Sequence, residues 1–240
     1  MAGFYDIIES MSGHSTPVCT LMSGGLDSGL LLHHLLRAGS RAVPVYLRCG
    51  LQWEETELYW LRRFLRAVHS RRLAPLRTVG MPLGEVYGSH WSLTGRHIPD
   101  ANSPETAVYL PGRNVLLVSA AAILCAQRRI STIALGVLKG NPFGDASRRC
   151  LGQLATCLSQ ALRHPIRILT PLRRSNKAQL IRSAVRVPLE LTFSCLRPIG
   201  RRHCGRCNKC AERSRAFQRA GVSDPTDYAS PVSCHPSPVT

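Results

Sequence analysis

Ser23-Gly24-Gly25-Leu26-Asp27-Ser28 lies between a short apolar stretch, Pro17 to Leu21, and a run of helical composition, Gly29 to Arg37, that ends at Gly39. The order reads strand, glycine turn, helix. Two glycines let the backbone turn sharply and expose consecutive N–H groups. Ser23 and Ser28 add hydroxyl donors, and the helix points its positive end at the turn. These features suit a phosphate or pyrophosphate. A Walker loop is excluded, because the Gly-Lys-Ser/Thr element is missing. A dinucleotide fingerprint is excluded, because G-x-G-x-x-G is absent. Asp27 would repel a phosphate unless a divalent cation sat between them. The turn therefore calls for Mg2+, held by Asp27 and nucleotide phosphates. An ordinary glycine turn is the bland alternative.

Working outward, the spacing predicts further strands at Ala42 to Leu47, Leu73 to Val79, Thr132 to Val137 and Ile166 to Leu169. Helices are expected at Glu54 to Ser70, Asn114 to Arg128, Gly152 to Arg163, Asn176 to Val185 and Ala211 to Ala220, with Ser175 as the cap of the fourth. Residues 80 to 107 read as a long irregular excursion near the site. Alternating strands and helices predict an α/β fold, a parallel sheet with helices on both faces. Ligands of such folds bind at the carboxyl ends of the strands. The expected division is a nucleotide domain over 1–190, a cysteine-bearing segment over 191–222 packed on it, and a flexible tail over 223–240.

The chain has 240 residues, 44% hydrophobic and 19% charged, a globular balance that excludes wholesale disorder. The longest apolar run, Val115 to Ala126, is too short for a bilayer, and no basic region opens the N-terminus. A soluble cytoplasmic protein is expected. Net charge is +17, from 31 basic and 14 acidic residues. Residues 160 to 219 hold 15 basic and two acidic side chains. An anionic partner, nucleic acid included, fits that excess but is not required by it. Lysine occurs only at 139, 177 and 209, so arginine supplies the other 28 positive charges. A GC-rich genome would give the same arginine bias.

Of ten cysteines, Cys19, Cys49, Cys125, Cys150 and Cys157 stand singly among apolar residues, where a small buried hydrophobe is the default reading. Cys234 lies in a Pro/Ser-rich tail. Cys195, Cys204, Cys207 and Cys210 cluster, and four thiolates at this spacing match a tetrahedral structural zinc site. His203 replacing one cysteine, an iron–sulfur cluster and a redox dithiol remain as alternatives.

SGGLDS after a first strand resembles the PP-loop of the ATP pyrophosphatases. Thr192-Phe193-Ser194-Cys195, then His203-Cys204-Gly205-Arg206-Cys207 and Cys210, Glu212 and Arg213, is similar to the zinc signature of the 7-cyano-7-deazaguanine synthase family. The two motifs stand in the family's order. The resemblance implies a Rossmann-like, adenine nucleotide alpha hydrolase-like domain with a C-terminal zinc segment, acting in queuosine biosynthesis. It implies ATP, Mg2+ and Zn2+ as cofactors. Ser23, Gly24, Gly25, Leu26, Asp27 and Ser28 would hold the nucleotide. Pro111-Gly112-Arg113-Asn114 resembles the family's PGRN element beside nucleotide and substrate, and Lys177 matches a lysine near the ATP phosphates. Ser23, Asp27, Arg113 and Lys177 are thus the candidate catalytic residues.

The family holds its deazapurine after the fourth strand. There Asp145 would read the guanine-like edge and Phe143 would stack on the ring, beside Arg113 and Asn114. The family's Tyr-Pro-Asp-Cys-Arg run is replaced here by Asn141-Pro142-Phe143-Gly144-Asp145-Ala146-Ser147-Arg148-Arg149. Trp53 and Glu57 fall near the adenine, although an amphipathic helix start accounts for both. The implied reaction turns 7-carboxy-7-deazaguanine and ammonia into the nitrile through an acyl adenylate and an amide, in a homodimer. A related ligase joining the adenylated acid to another amine, a PP-loop tRNA-modifying enzyme, and an RNA-binding module with a dead nucleotide fold are the alternatives.

Overall fold

The computed structural model describes residues 16–184 and 186–232. Cys234 lies outside the described residues. Five parallel strands form one sheet: β1 Pro17–Leu21, β2 Arg41–Arg48, β3 Arg77–Gly80, β4 Thr132–Ala134 and β5 Arg167–Leu169, in the order β3-β2-β1-β4-β5. Register runs from Pro17 against Arg41 and from Val18 against Thr132. The order reverses beside β1, so its carboxyl end opens into the crevice where such sheets bind ligands.

Side chains of a strand alternate between the two faces of a sheet, and both faces here are apolar. Val18, Tyr46 and Ala134 pack into one core with α1 (Leu26–Arg37) and α2 (Glu54–Ala67). Cys19, Val45, Leu47 and Ile133 pack into the other with α3 (Arg113–Gln127). Three more helices, α4 Arg148–Leu162, α5 Lys177–Ser183 and α6 Asn208–Ala220, complete the helices longer than one turn among the described residues.

Several boundaries differ from expectation, each for a local reason. The turn helix begins at Leu26 rather than Gly29, which puts Asp27 in its first turn. Strand β3 is shorter than expected, because Leu73 makes only an isolated bridge to Ala42 before the ladder resumes at Arg77. Helix α4 starts at Arg148, not Gly152. The Ser147 side chain caps it by accepting the Cys150 N–H at 3.2 Å. The cap of α5 is Asn176, not Ser175. Asn176 Oδ1 accepts from Gln179 N and Gln179 Oε1 accepts from Asn176 N, both at 2.9 Å, a reciprocal capping box. The excursion over 80–107 contains two single-turn helices, Gly84–Tyr87 and Trp91–Thr94.

The tail is tied down well past residue 223. Asp224 accepts from Tyr228 Oη at 2.7 Å, and Ala229 N donates to His203 O at 2.7 Å. A Cβ on Gly205 would lie 2.0 Å from Ser230 O, so the two backbones are in close contact. Buried Arg213 anchors this segment, donating to Thr192 Oγ1 at 2.8 Å, Leu189 O at 2.9 Å and Thr226 Oγ1 at 2.5 Å. Its fully buried charge is compensated by these acceptors and by Asp224. Among the described residues no helix is long and apolar enough to cross a membrane.

Candidate functional site

The turn after β1 is shaped by its own serines. Gly24 sits at φ 72°, the left-handed region that a side chain disfavours. Ser28 Oγ donates to Gly25 O at 3.1 Å and lies 3.2 Å from both Ser23 N and Ser23 Oγ. Phe193 N donates to Gly24 O at 2.8 Å, so the segment bearing Cys195 grips the turn directly. On the other side, Gly136 leaves β4 against the turn. A Cβ there would lie 3.0 Å from the Asp27 backbone carbonyl carbon and oxygen. Gly136→Ala is therefore expected to push the loop out of place, cutting kcat/KM for ATP at least about tenfold with little change in thermal stability. Steady-state kinetics and a melting curve on one preparation check it.

Three cavities meet at Asp27. One of about 160 Å3 is walled by Ser23, Asp27, Arg113, Lys177, Ser194 and Arg213. A second, of about 200 Å3, opens over the carboxyl ends of β1, β2 and β4, between Met22, Tyr46, Asn114 and Val137. The third is a cleft of about 900 Å3 that runs from Asp27 between the loop after β4 and helices α5 and α6. Asp27 lines all three. The strand ends suit an adenosine, and the turn suits its phosphates.

Asp27 Oδ2 lies 3.3 Å from Lys177 Nζ, while Asp27 Oδ1 is buried with no hydrogen-bond partner. Burial pushes the Asp27 carboxyl above its usual range, against the pull of Lys177. Lys177 also pairs with Glu212, which pairs in turn with Lys209 at 2.6 Å. Burial works against the charge on Lys177, yet Asp27 and Glu212 together hold its pKa above the usual lysine range. Burial would likewise raise Glu212, but Lys177 and Lys209 hold it well below the usual carboxylate range. Two further buried polar atoms lack partners at the small cavity, Arg113 Nε and Ser194 Oγ. A pocket with unpartnered N–H and O–H groups beside a free carboxylate oxygen fits a phosphate with a divalent cation.

The sequence-predicted residues Ser23, Gly25, Leu26, Asp27, Arg113 and Lys177 are thus brought together. Asn114 lines the strand-end cavity. Asp145 departs from expectation. It is buried behind α3, where Oδ2 accepts from Asn114 N at 3.0 Å and Oδ1 from Asn114 Nδ2 at 3.1 Å. Both oxygens are occupied in tethering the helix start, and the residue lines none of the three cavities. Phe143 does face the cleft, stacked on Tyr109 with ring centroids 4.8 Å apart. Lys209 and Glu212 were not assigned a role from sequence. One signal for Lys209 was available: all three lysines of this arginine-rich chain, Lys139, Lys177 and Lys209, line the one cleft.

Trp53 and Glu57 both reach the site. Glu57 lies under the turn and accepts from Tyr46 Oη at 2.5 Å. Burial pushes its carboxyl up to about 7, against Tyr46 and Arg113. A raised acid binds more protons folded than unfolded between the two pKa values. Its stabilising protonation is complete below the ordinary value near 4.5 and lost as pH rises through about 7. Urea midpoints are expected to fall between about pH 5 and about pH 8, and Glu57→Gln is expected to flatten that fall.

Cys195, Cys204, Cys207 and Cys210 are all buried, and their sulfurs lie within 4.8 Å of one another. Pairs are separated by 3.5 Å (Cys207 to Cys210) and 3.9 Å (Cys204 to Cys210, Cys195 to Cys207). Tetrahedral zinc with bonds near 2.3 Å requires sulfurs roughly 3.8 Å apart. Backbone N–H groups of Arg197 and Cys204 point at Cys195 Sγ, and that of Arg206 at Cys204 Sγ, each at 3.3 Å. Such donors stabilise thiolates, so the four residues fit a metal ion. His203 is directed elsewhere: its Nε2 accepts from Ser194 N at 3.2 Å and its ring packs on Phe193.

The family model described as "Queuosine biosynthesis protein QueC" matches residues 17–221. The chain belongs to the QueC family. The 7-cyano-7-deazaguanine synthase 1 of Desulfitobacterium hafniense (strain Y51) is 32% identical over 206 residues, covering 84% of this chain and 91% of that protein. The 7-cyano-7-deazaguanine synthase of Anaeromyxobacter dehalogenans (strain 2CP-C) is 32% identical over 224 residues, covering 87% and 94%. Among solved structures, "U34-tRNA thiolase NcsA from Methanococcus maripaludis with its [4Fe-4S] cluster" aligns with a TM-score of 0.47 at 11% identity, covering 91% of this chain and 73% of that one. In this QueC-family chain the matched span includes the turn, the cleft and all four cysteines.

Proposed function

We propose that the protein is a 7-cyano-7-deazaguanine synthase, an ATP-dependent carbon–nitrogen ligase. The reading is carried by Asp27, at the meeting point of three cavities, with one carboxylate oxygen paired to Lys177 and the other buried and free. Family membership and synthases at 32% identity support the acid and the product. They do not favour a tRNA-modifying enzyme or a ligase using another amine.

The adenosine of ATP occupies the strand-end cavity, and its β- and γ-phosphates lie in the turn of Ser23, Gly24, Gly25, Leu26, Asp27 and Ser28. Mg2+, when bound, neutralises charge between Asp27 and the phosphates. Lys177 and Arg113 are placed to neutralise the departing pyrophosphate and the charge developing at the α-phosphorus. The carboxylate of 7-carboxy-7-deazaguanine attacks that phosphorus from the cleft side, and the pyrophosphate leaves. Ammonia displaces AMP from the acyl adenylate to give the amide. A second ATP activates the amide oxygen, and loss of AMP with two protons leaves the nitrile. Phe143 on its Tyr109 support offers the stacking face for the base. With Asp145 committed to Asn114, polar groups of the cleft, Asn141 foremost, read the base edge.

Zn2+ is assigned to the four cysteines in a structural role, because four thiolates leave no open position. A homodimer would cover α3, which is apolar nearly all round yet leaves Ile123 49% exposed. The assay that tests the function supplies ATP, Mg2+, ammonium and 7-carboxy-7-deazaguanine and follows products by mass spectrometry. The nitrile with AMP and pyrophosphate is expected. AMP without nitrile would instead mean that the activated acid passes to another acceptor.

A further inference from the structure

The cleft is far larger than one bicyclic base requires, and its charge is uneven. Six basic and three acidic side chains line it. At the Asp27 end the charges are consumed: Asp27 and Glu212 pair with Lys177, and Glu212 also pairs with Lys209. Beyond that end stand Lys139, Arg182, Arg215 and Arg219, with Glu105 the remaining acid on the wall. None of these four cations makes an ion pair among the described residues. Arg182 Nη1 donates to the backbone carbonyl of Arg219 at 3.2 Å, which ties α5 to the end of α6 and holds the Arg182 guanidinium at that helix end. Arg215 and Arg219 are one helical turn apart on α6, so they share a face. Arg215 Nε donates to Ala211 O at 3.2 Å, an intrahelical bond that leaves its terminal nitrogens free.

Four cations lining one stretch of cleft with a single acid, Glu105, repel one another, and an anion in the cleft removes that cost. Guanidiniums give the bidentate geometry that phosphate oxygens accept. The lysines add an independent observation. An arginine-biased chain has three lysines, and all three line this cleft. A single phosphate needs only one or two of these groups.

We propose that the far end of this cleft, lined by Lys139, Arg182, Arg215 and Arg219, binds the phosphate backbone of single-stranded nucleic acid. A single strand can lie along α6 with its phosphates on Arg215 and Arg219, which lie one helical turn apart on that helix. The strand and the reacting ATP would occupy opposite ends of one continuous cavity. Strand binding needs no turnover, so it is measured independently of which acid the enzyme activates.

Fluorescence anisotropy of a labelled single-stranded oligonucleotide tests this on the full chain, with DNA and RNA of one sequence in separate titrations. For three neutralised phosphates, affinity is expected to drop roughly 20-fold between about 50 and 200 mM salt. The triple substitution Arg182→Gln, Arg215→Gln, Arg219→Gln is expected to weaken binding at least about tenfold and to flatten the salt slope by about two. A parallel triple substitution of Arg62, Arg66 and Arg201, which rim a separate hollow beside α2, is expected to leave the slope unchanged. Lys139→Glu, on an exposed loop, is expected to weaken binding even if the triple variant misfolds. The proposal is overturned if wild type shows no salt-dependent binding at the lower salt. It is equally overturned if the Arg62 set rather than the Arg182 set abolishes binding. A triple variant that binds the strand like wild type but resists inhibition by inorganic pyrophosphate would also overturn it, and would make the cleft an exit for that product.

Discussion

Asp27→Asn is expected to lower the rate of AMP release at least about 1,000-fold while the protein stays folded. The substitution preserves shape and removes the charge that a divalent cation needs. The surrounding pairs predict its structural consequences. Lys177 keeps its contact with Glu212, so no buried ammonium is stranded. Burial already disfavours the Asp27 carboxylate, so neutralising it is expected to leave the melting temperature unchanged or to raise it by about 2–4 °C. The combination separates a functional carboxylate from a structural one. A stability loss with activity retained would place Asp27 among the groups that hold the turn together and would end the cation reading. The magnesium dependence of residual turnover gives a second readout, because the variant should need far more magnesium for whatever rate remains.

Stripping metal from the cysteine cluster, or replacing Cys210 by serine, is expected to lower the melting temperature by at least about 10 °C and to abolish turnover. The metal would hold three things together. It would close the turn from Cys204 to Cys210 and set the start of α6, whose first residue follows Cys207. It would fix Phe193, which bonds to Gly24 O, and so clamp the glycine turn. It would also hold Lys209 and Glu212, one inside the cluster and one just beyond it, against Lys177. Metal analysis of purified protein should give about one zinc per chain and no visible absorption. A brown protein that bleaches in air would indicate an iron–sulfur cluster instead. Limited proteolysis of the metal-free protein should cut first between residues 191 and 232, while the sheet is still protected.

Much of this was legible because it is local. A serine-rich glycine turn between strand and helix specifies a phosphate cradle through backbone geometry that a few residues determine. Four cysteines at close spacing converge on one point whatever surrounds them. Alternating strands and helices fix a parallel sheet, since parallel neighbours need a crossover of helical length. Composition misplaces a helix start where a polar cap outweighs it, as at Ser147 and Asn176. Over 223–232 the Pro and Ser content hides Asp224, Thr226 and Tyr228, whose partners lie on Arg213 and each other.

The role of Asp145 shows the same limit inside the site. As a residue type it suits the edge of a guanine-like base, and its position after β4 points to the cleft. Its oxygens are nevertheless taken by Asn114, 31 residues earlier in the chain. Lys209 and Glu212 illustrate the converse, for nothing in their spacing announces that Lys177 links them to Asp27, more than 180 residues earlier in the chain. The sheet, the glycine turn and the cysteine cluster are legible in the chain, because each rests on neighbours in the sequence. The pairing of Lys177 with Asp27, the free Asp27 oxygen and the unpaired cations of the cleft follow from the fold alone, because burial and pairing depend on side chains distant in the chain.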